Sequence, residues 1–331
     1  MKAVQFSRFG GPEVLEVVDR PAPVPLAGEV LIRVHAAGIN FFEVLMRADR
    51  YAVTPQLPMS PGVEVAGVVE AVGQGVDKAL QGRRVAAPLF ASQRPYGGYA
   101  EQVTIPADLA VPLPDEVSFE EATALMVQGL TALHLLRQSP AEGRTVLVPA
   151  AAGGVGSLLV QLAKAKGAVK VIAAAGGAGK IEHALSLGAD AAVDYTNPDW
   201  PARVRALTGG EGADTVYDTV GGALTALSLP ALAPGGELVF AALGRYRLAA
   251  SDLEAMIGRN QSLRGFALLP LLSADVLRAS LSELFQLAAS GRLRVAIGGR
   301  FTLDQAGEAH RQLEERRAMG KMVLVADGLG Y

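Results

Sequence analysis

The stretch AAAGGVG at residues 150–156 opens an amphipathic run, GSLLVQLAKAKG, that ends at Gly167. Set against a G-x-G-x-x-G pattern, Ala151 takes the first place, Gly153 the second and Gly156 the third. That spacing supplies a tight turn, then a bare backbone that a diphosphate can approach, then room for a helix to pack on a strand. The first turn of the helix adds unpaired N–H groups and a partial positive charge, both suited to an anion. Gly153, Gly154, Val155 and Gly156 are therefore candidate contacts for the diphosphate of a dinucleotide. A tight strand-to-helix turn that binds nothing is the alternative.

The end of the following strand tells the two nicotinamide dinucleotides apart. A site for the unphosphorylated form carries Asp or Glu there, to hold the ribose 2′-hydroxyl. This chain has VIAAAGGAGK at 171–180, with no carboxylate and with Lys180 within a turn. An uncharged strand end and a nearby cation suit a 2′-phosphate, so NADP(H) is expected rather than NAD(H). Lys180 also has an ordinary reading as a solvated first-turn lysine, and the glycine-rich loop lacks the arginine or serine that often assists.

The remaining residues narrow the chemistry. The chain has no cysteine and four histidines, His35, His134, His183 and His310, which are scattered. A catalytic zinc in a dehydrogenase needs Cys and His together, so no metal site is expected. His183 and His310 fall in expected surface helices, and His35 in a strand as a packed or surface residue. Hydride transfer without a Lewis acid suits an acceptor that is already electron-poor, such as a quinone or an enone, with the proton coming from water or a hydrogen-bond donor. No G-x-S-x-G elbow supports a serine hydrolase. The net charge of −3 and the lack of a Lys/Arg block argue against nucleic acid. No signal pattern opens the chain, and no apolar stretch of about 20 residues could span a bilayer, so a cytoplasmic protein with a small-molecule substrate is expected.

These residues need a scaffold, and the 331-residue chain is long enough for two domains. Up to about residue 120 the sequence is β-rich: VLIRVHAAG (30–38), VAGVVEAVG (65–73) and RRVAAPL (83–89) are short β-branched or alternating runs among Gly/Pro clusters. FEEATALMVQGLTALHLLRQ (119–138) reads as one helix. Then strands TVLVPA (145–150), VKVIAAA (169–175), AAVDY (191–195), TVYDTV (215–220) and ELVFAALG (237–244) alternate with helices. This is the rhythm of a parallel sheet covered on both faces. After about 260 the pattern is mixed again: SLRGFAL, a helix near 273–290, LRVAIGG, a helix in DQAGEAHRQLEERR and a strand KMVLVA. These last pieces need a sheet to join, and the β-rich N-terminal part is the available host.

Several segments together are similar to one family. LVPAAAGGVGSLLVQLAK, FGGPEVLEV (9–17), AAGINFFEVLMRADRY (36–51) and VQGLTALHLL (127–136) resemble the zinc-independent, zeta-crystallin-like quinone oxidoreductases of the medium-chain dehydrogenase/reductase superfamily. The resemblance covers nearly the whole chain. It implies an α/β protein with a GroES-like β-rich substrate domain (1–122 and 260–331) and a Rossmann doubly wound parallel sheet (123–259), NADPH in the cleft, and a homodimer. It places Asn40 and Tyr51 in the substrate pocket as catalytic residues and Thr131 below the nicotinamide. Gly153 to Gly156 would hold the diphosphate, with Lys180 and Tyr195 beside the 2′-phosphate. Phe240, Gly265 and Phe266 would wall the nicotinamide, and Arg317 would reach the phosphates. Two departures stand out: Glu43 where the family commonly has Asp, and RADRY, with Asp49 and Arg50, at the pocket entrance. Three functions stay open: an NADPH:quinone reductase, an enone or enoyl-thioester reductase that would need Arg47, Arg50 and Arg94 for CoA phosphates, and a non-catalytic NADPH-binding protein.

Overall fold

The computed structural model describes residues 1–242, 246 and 248–325. In the N-terminal segment β1 (Lys2–Gln5) and β2 (Glu16–Asp19) form an antiparallel pair. β3 (Glu29–Ile39) is buried along nearly its whole length, with only Arg33 exposed, and runs directly into α1 (Phe41–Arg47). β4 (Val65–Val72), β5 (Arg84–Ala87), β6 (Gln102–Pro106) and β7 (Val111–Pro112) follow. α2 (Phe119–Ala124) starts at a capping box in which the Ser118 hydroxyl accepts from the Glu121 N–H and the Glu121 carboxylate accepts from the Ser118 N–H.

The expected single helix over 119–138 is interrupted. Residues 125–129 form one π-helical turn before α3 (Leu130–Gln138) begins. Within that turn the Val127 N–H donates to Glu64 Oε2 at 2.7 Å. A buried carboxylate thus takes a donor in the widened turn, a feature that sequence periodicity does not reveal.

Next come β8 (Thr145–Pro149), α4 (Gly154–Ala165), β9 (Lys170–Ala175), α5 (Ala178–Ser186), β10 (Ala191–Asp194) and α6 (Trp200–Leu207). β11 (Ala213–Asp218), α7 (Ala223–Ser228), β12 (Leu232–Phe240), α8 (Ala250–Ile257) and β13 (Ser262–Gly265) complete the alternation. The six strands form a parallel sheet in the order β10-β9-β8-β11-β12-β13. Leu147, Ile172, Trp200, Val204, Val216 and Leu238 pack in one buried cluster beside it, each side chain contributing about 1.5–3 kcal/mol by leaving water. The strand order reverses between β8 and β11, and ligands of doubly wound folds bind outside the strand carboxyl ends at such a point. Two expectations shift here. β12 begins five residues earlier than ELVFAALG suggested, and Leu243 and Gly244 lie outside the described residues. SLRG, assigned above to the substrate domain, pairs in parallel with β12 and so belongs to this sheet.

α9 (Ala274–Ala289), β14 (Ile297–Phe301), α10 (Ala306–Glu314) and β15 (Lys321–Val325) close the described chain. β15 pairs antiparallel with β3 and parallel with β14, so both C-terminal strands join the N-terminal sheet, whose order is β14-β15-β3-β4-β5-β7 with β6 also on β3. Among the described residues, those of 1–130 and those from 271 onward form one unit, and those of 131–270 form the second.

Candidate functional site

In the second unit the candidate residues other than Thr131 lie in or just after the carboxyl ends of the parallel strands. After β8 the chain turns through Ala150, whose φ of +50° is a left-handed conformation unusual for a residue with a Cβ. The left-handed residue of the turn is therefore Ala150, not the Ala151 that stands in the first glycine place. Gly153 N–H donates to Ala150 O at 2.8 Å and Gly153 caps α4 without any side-chain hydrogen bond. The α4 first-turn N–H groups thus carry no side-chain cap, the condition for receiving an anion.

The two glycines of the turn have different jobs. A Cβ on Gly156 would lie 2.3 Å from Ala150 O and 2.8 Å from Ala151 Cα, so this glycine lets the helix pack against its own turn. A Cβ on Gly153 would meet only Ala150 O, at 3.2 Å. The space above Gly153 is left open by the protein, as a diphosphate cradle requires.

Beside this turn, Lys180 stands in the first turn of α5 and Tyr195 follows β10. A Cβ on Gly176 would lie 3.3 Å from the Tyr195 ring, while Gly177 (φ +89°) and Gly179 face nothing within 4 Å. Further along the sheet edge, β12 ends at Phe240 and β13 at Gly265, which are register partners. Phe266 N–H donates to Phe240 O at 2.9 Å, and Gln138 Nε2 donates to Gly265 O at 3.1 Å. Thr131 stands half-buried in the first turn of α3.

In the first unit the three remaining residues lie in separate surroundings. Asn40 is buried between β3 and α1, and its amide is committed: Nδ2 donates to Glu64 Oε1 at 2.8 Å and Oδ1 accepts from Lys321 Nζ at 2.9 Å. Tyr51 packs its ring on Phe42 at 5.6 Å, against the apolar cluster of Phe6, Val14, Met46 and Met59. The Arg317 guanidinium faces Glu308 and Glu315 of its own unit, so its charge is already met locally.

Around Asn40 lies a buried polar cluster that pattern reading missed. Lys321 Nζ, at the start of β15, lies 2.5 Å from Glu64 Oε1, and both side chains are excluded from solvent. Gly38 makes room for the pair, since a Cβ there would come within 2.5 Å of Glu64 Oε1 and 2.7 Å of Lys321 Cε. The signals were present as a glycine inside a strand and single charges in the apolar runs VEVAGVV and KMVLV. Glu43 Oε1 accepts from Gly62 N–H at 2.7 Å, and Oε2 accepts from Asn40 N–H at 2.8 Å and Tyr99 Oη at 3.3 Å. Tyr99 Oη in turn lies 3.2 Å from His310 Nε2. His310 is buried, not on a surface helix face as expected, because α10 turns that side toward Tyr99.

Burial, reinforced by Glu64, pushes the Glu43 carboxyl up from 4.5 to about 7. Burial, reinforced by the Arg47 cation, pushes His310 down from 6.5 to about 3. Between pH 4.5 and 7 the folded state therefore holds a Glu43 proton that the unfolded chain has lost, and stability falls as pH rises. Between pH 3 and 6.5 the unfolded chain holds a His310 proton that the folded state refuses, and stability falls as pH drops. The two slopes oppose each other from pH 4.5 to 6.5. Glu43→Gln removes one of them, so relative to wild type its unfolding free energy, read by urea denaturation, is expected to fall on acidification through that window by about 1.4 kcal/mol per pH unit. Parallel pH profiles of the two proteins would contradict this.

Comparison with known proteins assigns the chain. The family model described as zinc-binding dehydrogenase matches residues 154–289, and the alcohol dehydrogenase GroES-like domain matches residues 26–115. The quinone oxidoreductase of Pseudomonas aeruginosa is 38% identical, with 98% of this chain and 99% of the relative aligned. This chain belongs to the quinone oxidoreductase family of medium-chain dehydrogenases/reductases. The family's solved structures agree in fold: the quinone oxidoreductase of Pseudomonas syringae pv. tomato superposes with a TM-score of 0.87 at 39% identity, covering 98% of this chain and 99% of that one. The Escherichia coli quinone oxidoreductase, solved complexed with NADPH, gives a TM-score of 0.88 at 34% identity over 98% of this chain and 100% of that one. As a family member the chain has a GroES-like domain and a Rossmann sheet, and the zinc in the first model's description finds no counterpart in its donors. Cysteine is absent, and no group of three His, Asp or Glu able to hold a metal occurs among the described residues.

Proposed function

We infer that the protein is an NADPH-dependent oxidoreductase that passes a hydride to a quinone without a metal. The observation that carries this reading is the open cradle at Gly153, under an uncapped helix N-terminus at the sheet's switch point. The NADPH complex of the Escherichia coli relative supports the choice of cofactor. NADPH supplies the hydride, and the reduced quinone takes up one further proton; an anionic hydroquinone is stable enough to take it from water. Asn40, with both ends of its amide engaged, serves as a positioning residue and not as that proton donor.

Quinones are favoured over enoyl thioesters by the state of the arginines. Arg47 and Arg50 share Glu314, and Arg94 pairs with Glu29, so two carboxylates already offset most of the positive charge a CoA diphosphate would need. Steady-state kinetics with 1,4-benzoquinone and crotonyl-CoA test this: a larger kcat/KM for the quinone is expected, and a preference for crotonyl-CoA would overturn it.

Lys180 is assigned to the 2′-phosphate. Lys180→Ala is expected to weaken NADPH by about 10- to 100-fold, the equivalent of a charge-assisted hydrogen bond of about 1.5–3 kcal/mol, and NADH by much less. Equal losses in titration calorimetry would remove that role.

A homodimer is proposed on the unpaired outer edge of β13 among the described residues, beside Leu253 and Ile257, which α8 leaves exposed. Light scattering should return twice the chain mass. No helix among the described residues is long and apolar enough to cross a membrane, and a chain without cysteine suits the reducing cytoplasm.

A further inference from the structure

We propose that Asp194 is a specificity-determining residue: it stands as a fixed anion where the 2′-phosphate would be taken, and so narrows the preference for NADPH over NADH. The proposal rests on the reading that the dinucleotide's adenosine ribose is recognised at the end of β9.

The second strand of a doubly wound sheet ends where that ribose is read. By sequence alone the end of β9 is uncharged, Ala173-Ala174-Ala175-Gly176-Gly177. The neighbouring strand supplies the missing carboxylate. β10 runs beside β9 with Asp194 opposite Ala175, so both strands end together. Asp194 Oδ2 accepts from Gly177 N–H at 3.3 Å, and Oδ1 accepts from Thr196 N–H at 2.9 Å and from Thr196 Oγ1 at 2.7 Å.

Gly177 is the N-cap of α5, and Lys180 lies in the first turn of the same helix. The backbone that would greet a phosphate thus already has a carboxylate against it. Hydrogen bonds from the Thr196 hydroxyl and backbone, then from Gly177, hold the Asp194 carboxyl below its ordinary range, so it is ionised at neutral pH. No side chain at Gly176, Gly177 or Gly179 adds a donor to offset it. Asp194 sets a negative charge at this strand end, where Lys180 stands in the first turn of α5 and the Arg203 cation also acts on the carboxyl. A 2′-hydroxyl is uncharged and can donate to a carboxylate; a 2′-phosphate is repelled by the aspartate.

The test is the pair of dissociation constants for NADPH and NADH, measured by fluorescence titration on wild type, Asp194→Asn and Asp194→Ser. Asparagine keeps an acceptor for Thr196 and removes the charge; serine serves the same purpose if the amide disturbs the loop. The ratio of the NADH to the NADPH constant is expected to rise by about 3- to 10-fold in either variant, the size of a charge–charge term across a solvated gap, and the rise should shrink in high salt. An unchanged ratio, or equal weakening of both cofactors, would show that Asp194 only braces the loop and would overturn the proposal. Failure of wild type to bind either dinucleotide would instead strike the cofactor reading itself, and the proposal with it.

Discussion

Valine at Gly153 is expected to abolish NADPH binding and leave the protein folded. The backbone at Gly153 is extended, with φ −81° and ψ 176°, a conformation open to any residue. A Cβ there touches only one carbonyl oxygen, and loss of glycine at an N-cap costs about 1 kcal/mol at most. The two methyl groups instead fill the space through which a diphosphate would reach the N–H groups of α4. A rise in the NADPH dissociation constant of at least about 100-fold is expected, because the contact depends on backbone approach that no rearranged side chain can replace. Gly156→Ala is the counterpart. Its Cβ would press on Ala150 O and Ala151 Cα, so it should lower the melting temperature whether or not ligand is present. Calorimetric titration and thermal unfolding of both variants separate a binding glycine from a packing glycine; a Gly153→Val protein that binds normally would show the cradle to be elsewhere.

Lys321→Met is expected to be the most damaging single change to the fold of the first unit. It leaves Glu64 buried with its charge and without its cation, a situation that typically costs 3–5 kcal/mol. Oε1 and Oε2 would still receive Asn40 Nδ2 and Val127 N–H, but no cation would remain beside them. The double variant Lys321→Met with Glu64→Gln should recover part of the loss, since no charge remains and the amide oxygen still accepts one of the two donors, while its NH2 meets the other. Urea denaturation gives both values. A single variant less than about 1 kcal/mol below wild type would mean the pair does not brace the sheet.

What was legible beforehand is what depends on neighbours in the chain. The glycine turn, the alternation from 145 onward and the closing strand KMVLV are local patterns, and each forms the element its period requires. The union of 321–325 with the N-terminal sheet followed from the need of a lone strand for a host. Residues whose roles depend on distant partners were not legible. Glu64 and Lys321 are 257 positions apart, and nothing in either run says that the two charges meet. His310 looked like a surface residue because α10 is short and strongly polar; only Tyr99 at 3.2 Å explains its burial. Asp194 escaped notice for the same reason. The rule for dinucleotide sites looks along one strand, and here the carboxylate arrives from the strand beside it. Asn40 was expected to line the substrate pocket, and its hydrogen bonds to Glu64 and Lys321 were not legible, because both partners are distant in the chain.

Single-turnover oxidation of NADPH is the most direct measure of the central reading. Protein premixed with NADPH and dialysed against a chelator is mixed with excess 1,4-benzoquinone in a stopped-flow instrument. NADPH absorbance is expected to fall in one enzyme-dependent phase, at the same rate with and without chelation, and to stay flat with the Gly153→Val protein. Absence of that phase in wild type, or its loss on chelation, would contradict hydride transfer from NADPH to a quinone by a metal-free site.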